Sequence, residues 1–207
     1  MVFLCSPNNP TGKSIPEQDM LDFCEKFDGW VVVDEAYVDF GDQGSMSRYI
    51  EEYPNLVVMQ TLSKAWGMAG LRLGICISSE GLISILNKVK YPYNVNVESQ
   101  RIACRALADY DGFCRCVEEI KSERAKLAEA LRQRSIFRKI LEFDGNFLLV
   151  SLDEFKELYA YLAGNGVVVR RRDIPPLIPS SLRLTIGTEE ENARLLELID
   201  KFIAGER

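Results

Sequence analysis

The stretch TLSKAWGMAGLRLG, residues 61–74, places a lysine and two hydroxyl groups between two apolar segments of the chain. Lys64 follows an apolar, strand-like run at residues 56–59 and precedes a segment of small residues. Arg72 lies inside the second apolar run. Because a single lysine at a strand end is usually a surface charge, the meaning of Lys64 depends on the motifs around it.

The first half of the chain alternates between strand-like and helix-like patterns. Predicted strands lie at residues 2–5, 30–33, 56–59 and 71–77. Ser14 and Glu17 have the spacing of a capping box, which predicts a helix through residue 27, and a second helix is predicted at residues 82–89. This order predicts an α/β fold, doubly wound, with a mostly parallel sheet and flanking helices.

The second half of the chain has a different pattern and predicts a small α+β domain. A long charged helix is predicted at residues 113–131, and Thr188 with Glu191 predicts the cap of a final helix. Further elements are a helix at residues 153–162 and strands at residues 147–151, 166–170 and 182–186. We place the domains at residues 1–107 and 108–207. Because the chain opens directly on a buried-type strand, we expect the first domain to lack its amino-terminal part.

Composition excludes several classes of function. The chain has 207 residues, 47% of them hydrophobic, and a net charge of -6, so no overall positive field attracts nucleic acid. No apolar segment has the length of a membrane span, so we expect no membrane partner. Histidine is absent, which excludes a Ser-His-Asp triad and an imidazole proton shuttle. The six cysteines form no paired C-x-x-C pattern and predict buried, reduced thiols in a cytoplasmic protein.

Polar groups follow three consecutive predicted strands, and such loops meet at the carboxyl edge of a parallel sheet. The three loops carry Asn8 and Asn9; Asp34 and Tyr37; and Thr61, Ser63, Lys64 and Arg72. A carboxylate keeps a pyridine nitrogen protonated, an amine forms a Schiff base with an aldehyde, and hydroxyl and guanidinium groups hold a phosphate. The set therefore indicates a phosphorylated pyridine-aldehyde cofactor.

A nucleotide-binding alternative rests on residues 11–14, TGKS, which are similar to the end of a phosphate-binding P-loop. The motif requires glycine five positions before Gly12, where Pro7 stands. Pro10 also removes a backbone N–H that the phosphate cradle would use. We therefore keep this reading only as a remote alternative.

Five motifs in this order resemble the fold-type I aminotransferases that use pyridoxal phosphate. They are NNPTG, VVVDEAYVDF, TLSKAWGMAGLRLG, KVKYPYNVN and SLRLTIGT. The DEAYVDF and PYNVN segments most resemble the histidinol-phosphate aminotransferase subfamily. The resemblance spans nearly the whole chain and implies a partial large domain of that fold followed by its small domain.

The resemblance implies roles for residues at matching positions. Lys64 would form the Schiff base with pyridoxal phosphate and move the substrate proton, and Asp34 would pair with the ring nitrogen. The remaining cofactor-binding positions are Tyr37 and Asn9 at the ring hydroxyl and Thr61, Ser63 and Arg72 at the phosphate. Arg183 and Arg170 would bind the anionic substrate. Tyr93 and Asn94 would lie near the cofactor or a dimer contact, and Arg171 and Arg172 are expected to be a solvated strand end.

The function implied is transfer of an amino group between L-glutamate and imidazole-acetol phosphate, giving L-histidinol phosphate in histidine biosynthesis, by a cytoplasmic homodimer. Family members also carry, upstream, a small-residue phosphate loop, an aromatic residue that stacks on the cofactor and a tyrosine that reaches the partner's site. None of these three features is expected within residues 1–207. Two alternatives stay open: a related enzyme such as a threonine-phosphate decarboxylase, and a non-catalytic fragment.

Overall fold

The computed structural model describes residues 1–142 and 144–206, which form two compact units. The first unit comprises Met1–Asn8 and Lys13–Val117, and the second comprises Asn9–Gly12 and Glu118–Arg207. The domain boundary expected after residue 107 stays a prediction, and Arg207 itself lies outside the described residues.

The first unit is built on a four-stranded sheet in the order β1-β2-β3-β4. Its strands are β1 (Val2–Cys5), β2 (Val31–Asp34), β3 (Leu56–Thr61) and β4 (Gly74–Ser78). The first three strands are parallel, and β4 runs antiparallel to β3. The α/β fold and the mostly parallel sheet are therefore confirmed, and three strand ends meet at one edge.

Four helices begin in the first unit: α1 (Glu17–Lys26), α2 (Glu80–Val89), α3 (Val97–Leu107) and α4 (Tyr110–Arg132). Helix α1 packs its apolar face on the sheet, as the helical spacing predicts. The buried residues of this core are Met20, Leu21, Cys24, Val31, Val33, Met46, Leu56 and Val58. Helix α2 has no buried residue.

The second unit contains a four-stranded antiparallel sheet in the order β5-β6-β8-β7. Its strands are β5 (Lys139–Leu141), β6 (Phe147–Ser151), β7 (Arg170–Arg171) and β8 (Ser181–Thr185). Helices α5 (Phe155–Gly164) and α6 (Glu189–Ile203) pack on it together with the end of α4. The capping box of Thr188 and Glu191 is confirmed at the start of α6. This unit is the expected small α+β domain.

The capping box predicted from Ser14 and Glu17 is wrong. Helix α1 begins at Glu17 directly after Pro16, whose extended backbone (φ -52°, ψ 136°) occupies the cap position without a side-chain cap. Glu17 is therefore the first helical residue and cannot reach back from the third position. Its carboxylate instead accepts a hydrogen bond from Tyr49 Oη at 2.6 Å and pairs with Arg48.

Two predicted strands are shorter than expected, and one short strand was not predicted. The backbone at Gly166 has φ 81°, and Val167 N donates to Leu162 O at 2.9 Å, so this segment closes helix α5 instead of extending a strand. Residues 71–73 precede β4 because Ala69–Leu71 form a 3-10 turn. The three-residue strand β5 was not predicted from the sequence.

The expectation that most cysteines are buried is wrong. All six thiols are free, but only Cys24 is buried, and burial raises the pKa of its thiol. Cys5, Cys76, Cys104 and Cys116 are exposed because they lie on faces of the first unit that no other element of that unit covers. In the described parts of the chain, every helix is too short or too polar to cross a membrane.

An ion pair in the second unit makes its stability depend on pH. Arg134 donates from Nε and Nη2 to the two carboxylate oxygens of Asp200, each at 2.7 Å, which lowers the pKa of Asp200. A lowered carboxyl pKa stabilises the folded state above the ordinary aspartate pKa, and this contribution disappears as the pH falls through the folded-state value.

We expect Asp200→Asn to lower the free energy of unfolding by less than about 1 kcal/mol at neutral pH, because the carboxylate is half exposed. The difference should shrink as the pH falls below about 4 and vanish once the pH is below the folded-state pKa of Asp200. Urea unfolding of both proteins across this pH range measures it. A difference that does not change with pH would contradict this assignment.

Candidate active site

The parallel arrangement of β1, β2 and β3 brings the ends of these strands to one edge of the sheet. Asp34 ends β2 and Thr61 ends β3, with Ser63 and Lys64 in the turn that follows. Four of the predicted cofactor-binding residues, Asp34, Thr61, Ser63 and Lys64, therefore follow or end strands at this edge of the first unit.

The turn after β2 orients Asp34 and buries Tyr37. Asp34 is half-buried, and its Oδ1 accepts a hydrogen bond from Ala36 N at 3.0 Å, which restricts the carboxylate to one side of the turn. Tyr37 is only 6% exposed and precedes the 3-10 turn Val38–Phe40. The carboxylate and the phenol ring are thus fixed by backbone turns next to the sheet.

The turn after β3 carries Lys64 towards Tyr37. Ser63 N donates to Thr61 Oγ1 at 3.1 Å, and Gly67 N donates to Lys64 O at 3.0 Å. Lys64 Nζ lies 5.5 Å from the centre of the Tyr37 ring, so the two loops approach each other through these side chains. The amine is exposed and therefore accessible to a ligand.

Arg72 has a strained backbone beside the same turn. Its φ of 56° and ψ of 40° lie in the left-handed region, which is unfavourable for a residue with a Cβ atom. Thr61 Oγ1 lies 3.1 Å from Leu73 O and 2.9 Å from Ser63 Oγ. The residue that follows Arg72 is therefore hydrogen-bonded to Thr61, which also contacts the Ser63 hydroxyl. Such strain in a non-glycine residue is typical of functional loops.

Trp66 attaches the lysine turn to helix α4, a contact that the sequence motifs do not reveal. Its ring stacks on Phe113 with the ring centres 3.8 Å apart and the planes within 7°. Tyr110 packs against Phe113 in turn, at 5.8 Å between ring centres. The sequence shows an aromatic residue two positions after Lys64, but it does not show that Phe113, far away in sequence, is its stacking partner.

Acidic groups near these turns influence one another. Burial, and next the charge of Glu35, raise the pKa of Asp39. Burial, and next the charge of Asp34, raise the pKa of the Cys5 thiol, which is the strand neighbour of Asp34. The negative charges of Asp34 and Glu35 therefore act on other side chains at this edge.

The predicted substrate-binding arginines lie in the second unit. Arg170 on β7 and Arg183 on β8 are directly opposite each other in the antiparallel register. Two cations at such positions repel each other, and a bound anion would offset that repulsion. The pair therefore has the charge needed to bind an anionic group.

The structure groups Asn9 with the second unit and not with the loops after β2 and β3. Asn9 Oδ1 accepts a hydrogen bond from Arg183 Nη1 at 3.0 Å. The guanidinium carbon of Arg183 also lies 4.9 Å from the centre of the Phe147 ring. The expected contact of Asn9 with the cofactor ring stays a prediction.

Comparisons with known proteins identify a family and several relatives. The family description "Aminotransferase class I and II" matches residues 1–199. The chain is 45% identical over 197 residues to a histidinol-phosphate aminotransferase of Flavobacterium johnsoniae, covering 95% of this chain and 56% of that protein. It is 42% identical over 202 residues to one of Bacteroides fragilis, covering 98% of this chain and 59% of that protein.

The fold is also similar to that of a solved protein. The crystal structure of histidinol-phosphate aminotransferase from Sinorhizobium meliloti in complex with pyridoxal-5'-phosphate matches with a TM-score of 0.87 and 23% identity, covering 97% of this chain and 57% of that chain. The chain thus spans 56% and 59% of the length of the two curated relatives. Since the family match extends over nearly all of its residues, this chain belongs to the class I and II aminotransferase family.

Proposed function

We propose that this chain binds pyridoxal phosphate through Lys64 and contributes to the transfer of an amino group between L-glutamate and imidazole-acetol phosphate, giving L-histidinol phosphate. The observation that carries the proposal is the position of Lys64 Nζ, 5.5 Å from the ring centre of Tyr37, in a turn that follows the strand beside Asp34. The names of the relatives support the choice of substrates. Because the chain spans little more than half the length of those relatives, amino transfer is tested on the purified chain itself.

The side chains of the first unit fit pyridoxal phosphate by their chemistry. Lys64 supplies an accessible amine, and Asp34 supplies a carboxylate already oriented by the Ala36 amide. The hydroxyls of Thr61 and Ser63 lie together, 2.9 Å apart, next to the segment of Arg72. These are the groups that an aldehyde, a pyridine nitrogen and a phosphate require.

The bound cofactor would act as an electron sink for the substrate carbon. Lys64 would attach the cofactor and then hold or release the substrate proton at Nζ. The Asp34 carboxylate would keep a proton on the ring nitrogen, and Tyr37 would donate from Oη to the ring hydroxyl. Thr61, Ser63 and Arg72 would hold the phosphate, which fixes the ring relative to Lys64.

The second unit would supply charge for the substrate. Arg170 and Arg183 would bind the anionic groups of the amino acid and of the phosphorylated keto substrate, and Asn9 would orient Arg183 through the 3.0 Å hydrogen bond. We propose that the enzyme works as a homodimer in the cytoplasm, as the resemblance implies.

The direct test mixes the purified chain with pyridoxal phosphate, L-glutamate and imidazole-acetol phosphate and measures 2-oxoglutarate. We expect glutamate-dependent formation of 2-oxoglutarate and histidinol phosphate that Lys64→Ala abolishes. Release of carbon dioxide from threonine phosphate, without amino transfer, would identify a decarboxylase instead. If the chain binds the cofactor but forms neither product, catalysis by this chain is overturned. The hypothesis of a non-catalytic fragment then remains.

Arg72 allows stability and cofactor binding to be separated. We expect Arg72→Gly to raise the free energy of unfolding by about 0.5–1 kcal/mol, because glycine removes the left-handed strain at some cost in chain entropy. The same change should weaken cofactor binding about tenfold or more, since a charge-assisted hydrogen bond is lost. Denaturant unfolding and cofactor titration measure the two effects.

Ser180 provides the matched control for Arg72. It also has a left-handed backbone, with φ 50°, but lies in the second unit and has no proposed cofactor contact. Ser180→Gly should therefore stabilise the fold to a similar extent and leave cofactor affinity unchanged. Equal effects of both substitutions on cofactor affinity would contradict the phosphate-binding role of Arg72.

A further inference from the structure

Glu35 is a buried carboxylate directly behind the proposed cofactor site. It follows Asp34 and is only 3% exposed. Glu35 N continues the strand pairing by donating to Met59 O at 2.8 Å. Because side chains alternate along extended backbone, Glu35 and Asp34 point to opposite faces of the sheet. None of the proposed cofactor roles uses Glu35.

Three donors hold the Glu35 carboxylate. Met46 N donates to Oε1 at 2.6 Å, and Ser45 Oγ and Gln60 Nε2 lie 2.6 Å and 2.8 Å from Oε2. Gln60 Nε2 also lies 3.0 Å from Ser45 Oγ, which closes the network. Within residues 1–142 and 144–206, no cation forms an ion pair with this carboxylate. A buried carboxylate held only by neutral donors is costly to disturb, because loss of one donor leaves charge unsatisfied.

The network joins the two strands at the positions next to the proposed cofactor-binding residues. Glu35 and Gln60 follow the paired residues Asp34 and Met59 in the parallel register of β2 and β3. Gln60 immediately precedes Thr61, the first hydroxyl of the turn that carries Lys64. The bond from Gln60 to Glu35 therefore restrains the start of both turns relative to each other.

We infer that Glu35, held by Gln60 and Ser45, is a positioning residue that sets the placement of the Asp34 turn relative to the Lys64 turn. The expected effect on cofactor binding rests on the proposed function. The expected effect on the placement of the two turns concerns only residues of the first unit. Removing a side chain that orients metal ligands typically lowers affinity about 10–100-fold, and we expect an effect of about tenfold for this analogous role. Misplacement of a binding group by about 1 Å has a comparable or larger effect.

The experiment compares three variants of the whole chain. Glu35→Ala removes the network, Glu35→Gln keeps an oxygen acceptor and the side-chain length, and Asn55→Ala is the matched control. Asn55 also ties segments of this unit through its side-chain amide, which donates to Cys24 O at 2.9 Å and Gly29 O at 3.2 Å. It precedes β3 and so lies at the opposite edge of the sheet from Asp34. Each alanine variant therefore loses a side chain that hydrogen-bonds segments distant in sequence.

Two measurements are made on each variant: amide hydrogen exchange of the cofactor-free chain and titration with pyridoxal phosphate. We expect Glu35→Ala to speed exchange in peptides covering residues 34–38 and 61–68 and to weaken cofactor binding about tenfold. Glu35→Gln should restore most of both values. Asn55→Ala should change exchange around residues 24–31 and leave cofactor affinity within about twofold of the unmutated chain.

The outcomes separate the inference from the proposed function. If Glu35→Ala leaves exchange in both turns unchanged, the positioning role is wrong, whatever the cofactor does. If the unmutated chain binds no pyridoxal phosphate but Glu35→Ala still loosens both turns, the positioning role holds and the proposed function fails. Equal loss of cofactor affinity in Glu35→Ala and Asn55→Ala would also overturn the inference, because general destabilisation would then explain it.

Discussion

Lys64→Ala is expected to abolish covalent retention of pyridoxal phosphate and to lower the rate of amino transfer by about 10³-fold or more. The reason is that Lys64 has two proposed tasks, attachment of the cofactor and movement of the substrate proton, and an alanine performs neither. Because the lysine is exposed, its removal should barely change stability. Absorbance of the dialysed protein and the rate of 2-oxoglutarate formation measure the effect.

Lys88→Ala is the control for the loss of one positive charge. Lys88 lies in the last turn of α2 and is exposed, and no cofactor contact is proposed for it. Cofactor retention and rate should equal those of the unmutated chain. Persistent covalent cofactor in Lys64→Ala would mean that another lysine is the attachment site.

Asp34→Asn is expected to lower the rate of amino transfer by about 10²–10³-fold, because a neutral amide cannot hold the proton on the ring nitrogen as a carboxylate does. The local structure should survive. An asparagine Oδ1 can still accept the hydrogen bond that Ala36 N donates to Asp34 at 3.0 Å, so the turn keeps its shape. The loss should therefore be in the rate and in cofactor affinity, with stability changed by less than about 1 kcal/mol.

Asp39→Asn is a suitable comparison for Asp34→Asn, since both acids lie in the same segment but Asp39 has no proposed contact with the cofactor. Steady-state rates, cofactor titration and thermal melting of the two variants distinguish the roles. Equal rate losses in both variants would indicate a general electrostatic or folding effect and would contradict the assignment of Asp34 to the ring nitrogen.

The order of elements was predictable from the sequence wherever a continuous apolar run marks a buried strand. Runs near β1, β2 and β3 predict the parallel core, because strands of parallel sheets are generally covered on both faces and need apolar residues throughout. In this structure β2 and the start of β3 are buried, whereas Phe3 and Cys5 of β1 are exposed. The direction of β4 was not predictable, since an apolar run is the same in either direction. Its antiparallel pairing follows from the short connection after Thr61, which has no crossover helix.

Contacts between distant residues account for what the sequence did not reveal at the candidate site. Lys64, Asp34 and Tyr37 stand out by motif, but the partners that hold their loops do not. Glu35 lies within the motif VVVDEAYVDF, but its buried carboxylate accepts hydrogen bonds from Ser45 and Gln60. These residues are 10 and 25 positions away, and no sequence motif links them to Glu35. The strand predicted at residues 166–170 failed for a local reason, because a glycine turn at the end of α5 replaces most of it.

The central claim, that Lys64 attaches pyridoxal phosphate, is tested most directly by peptide mapping after reductive trapping. The purified chain is loaded with pyridoxal phosphate, reduced with borohydride, digested and sequenced by mass spectrometry. We predict a single stoichiometric adduct on Lys64, within the peptide that contains residues 61–72. Adducts spread over several surface lysines, or none on Lys64, would contradict the claim.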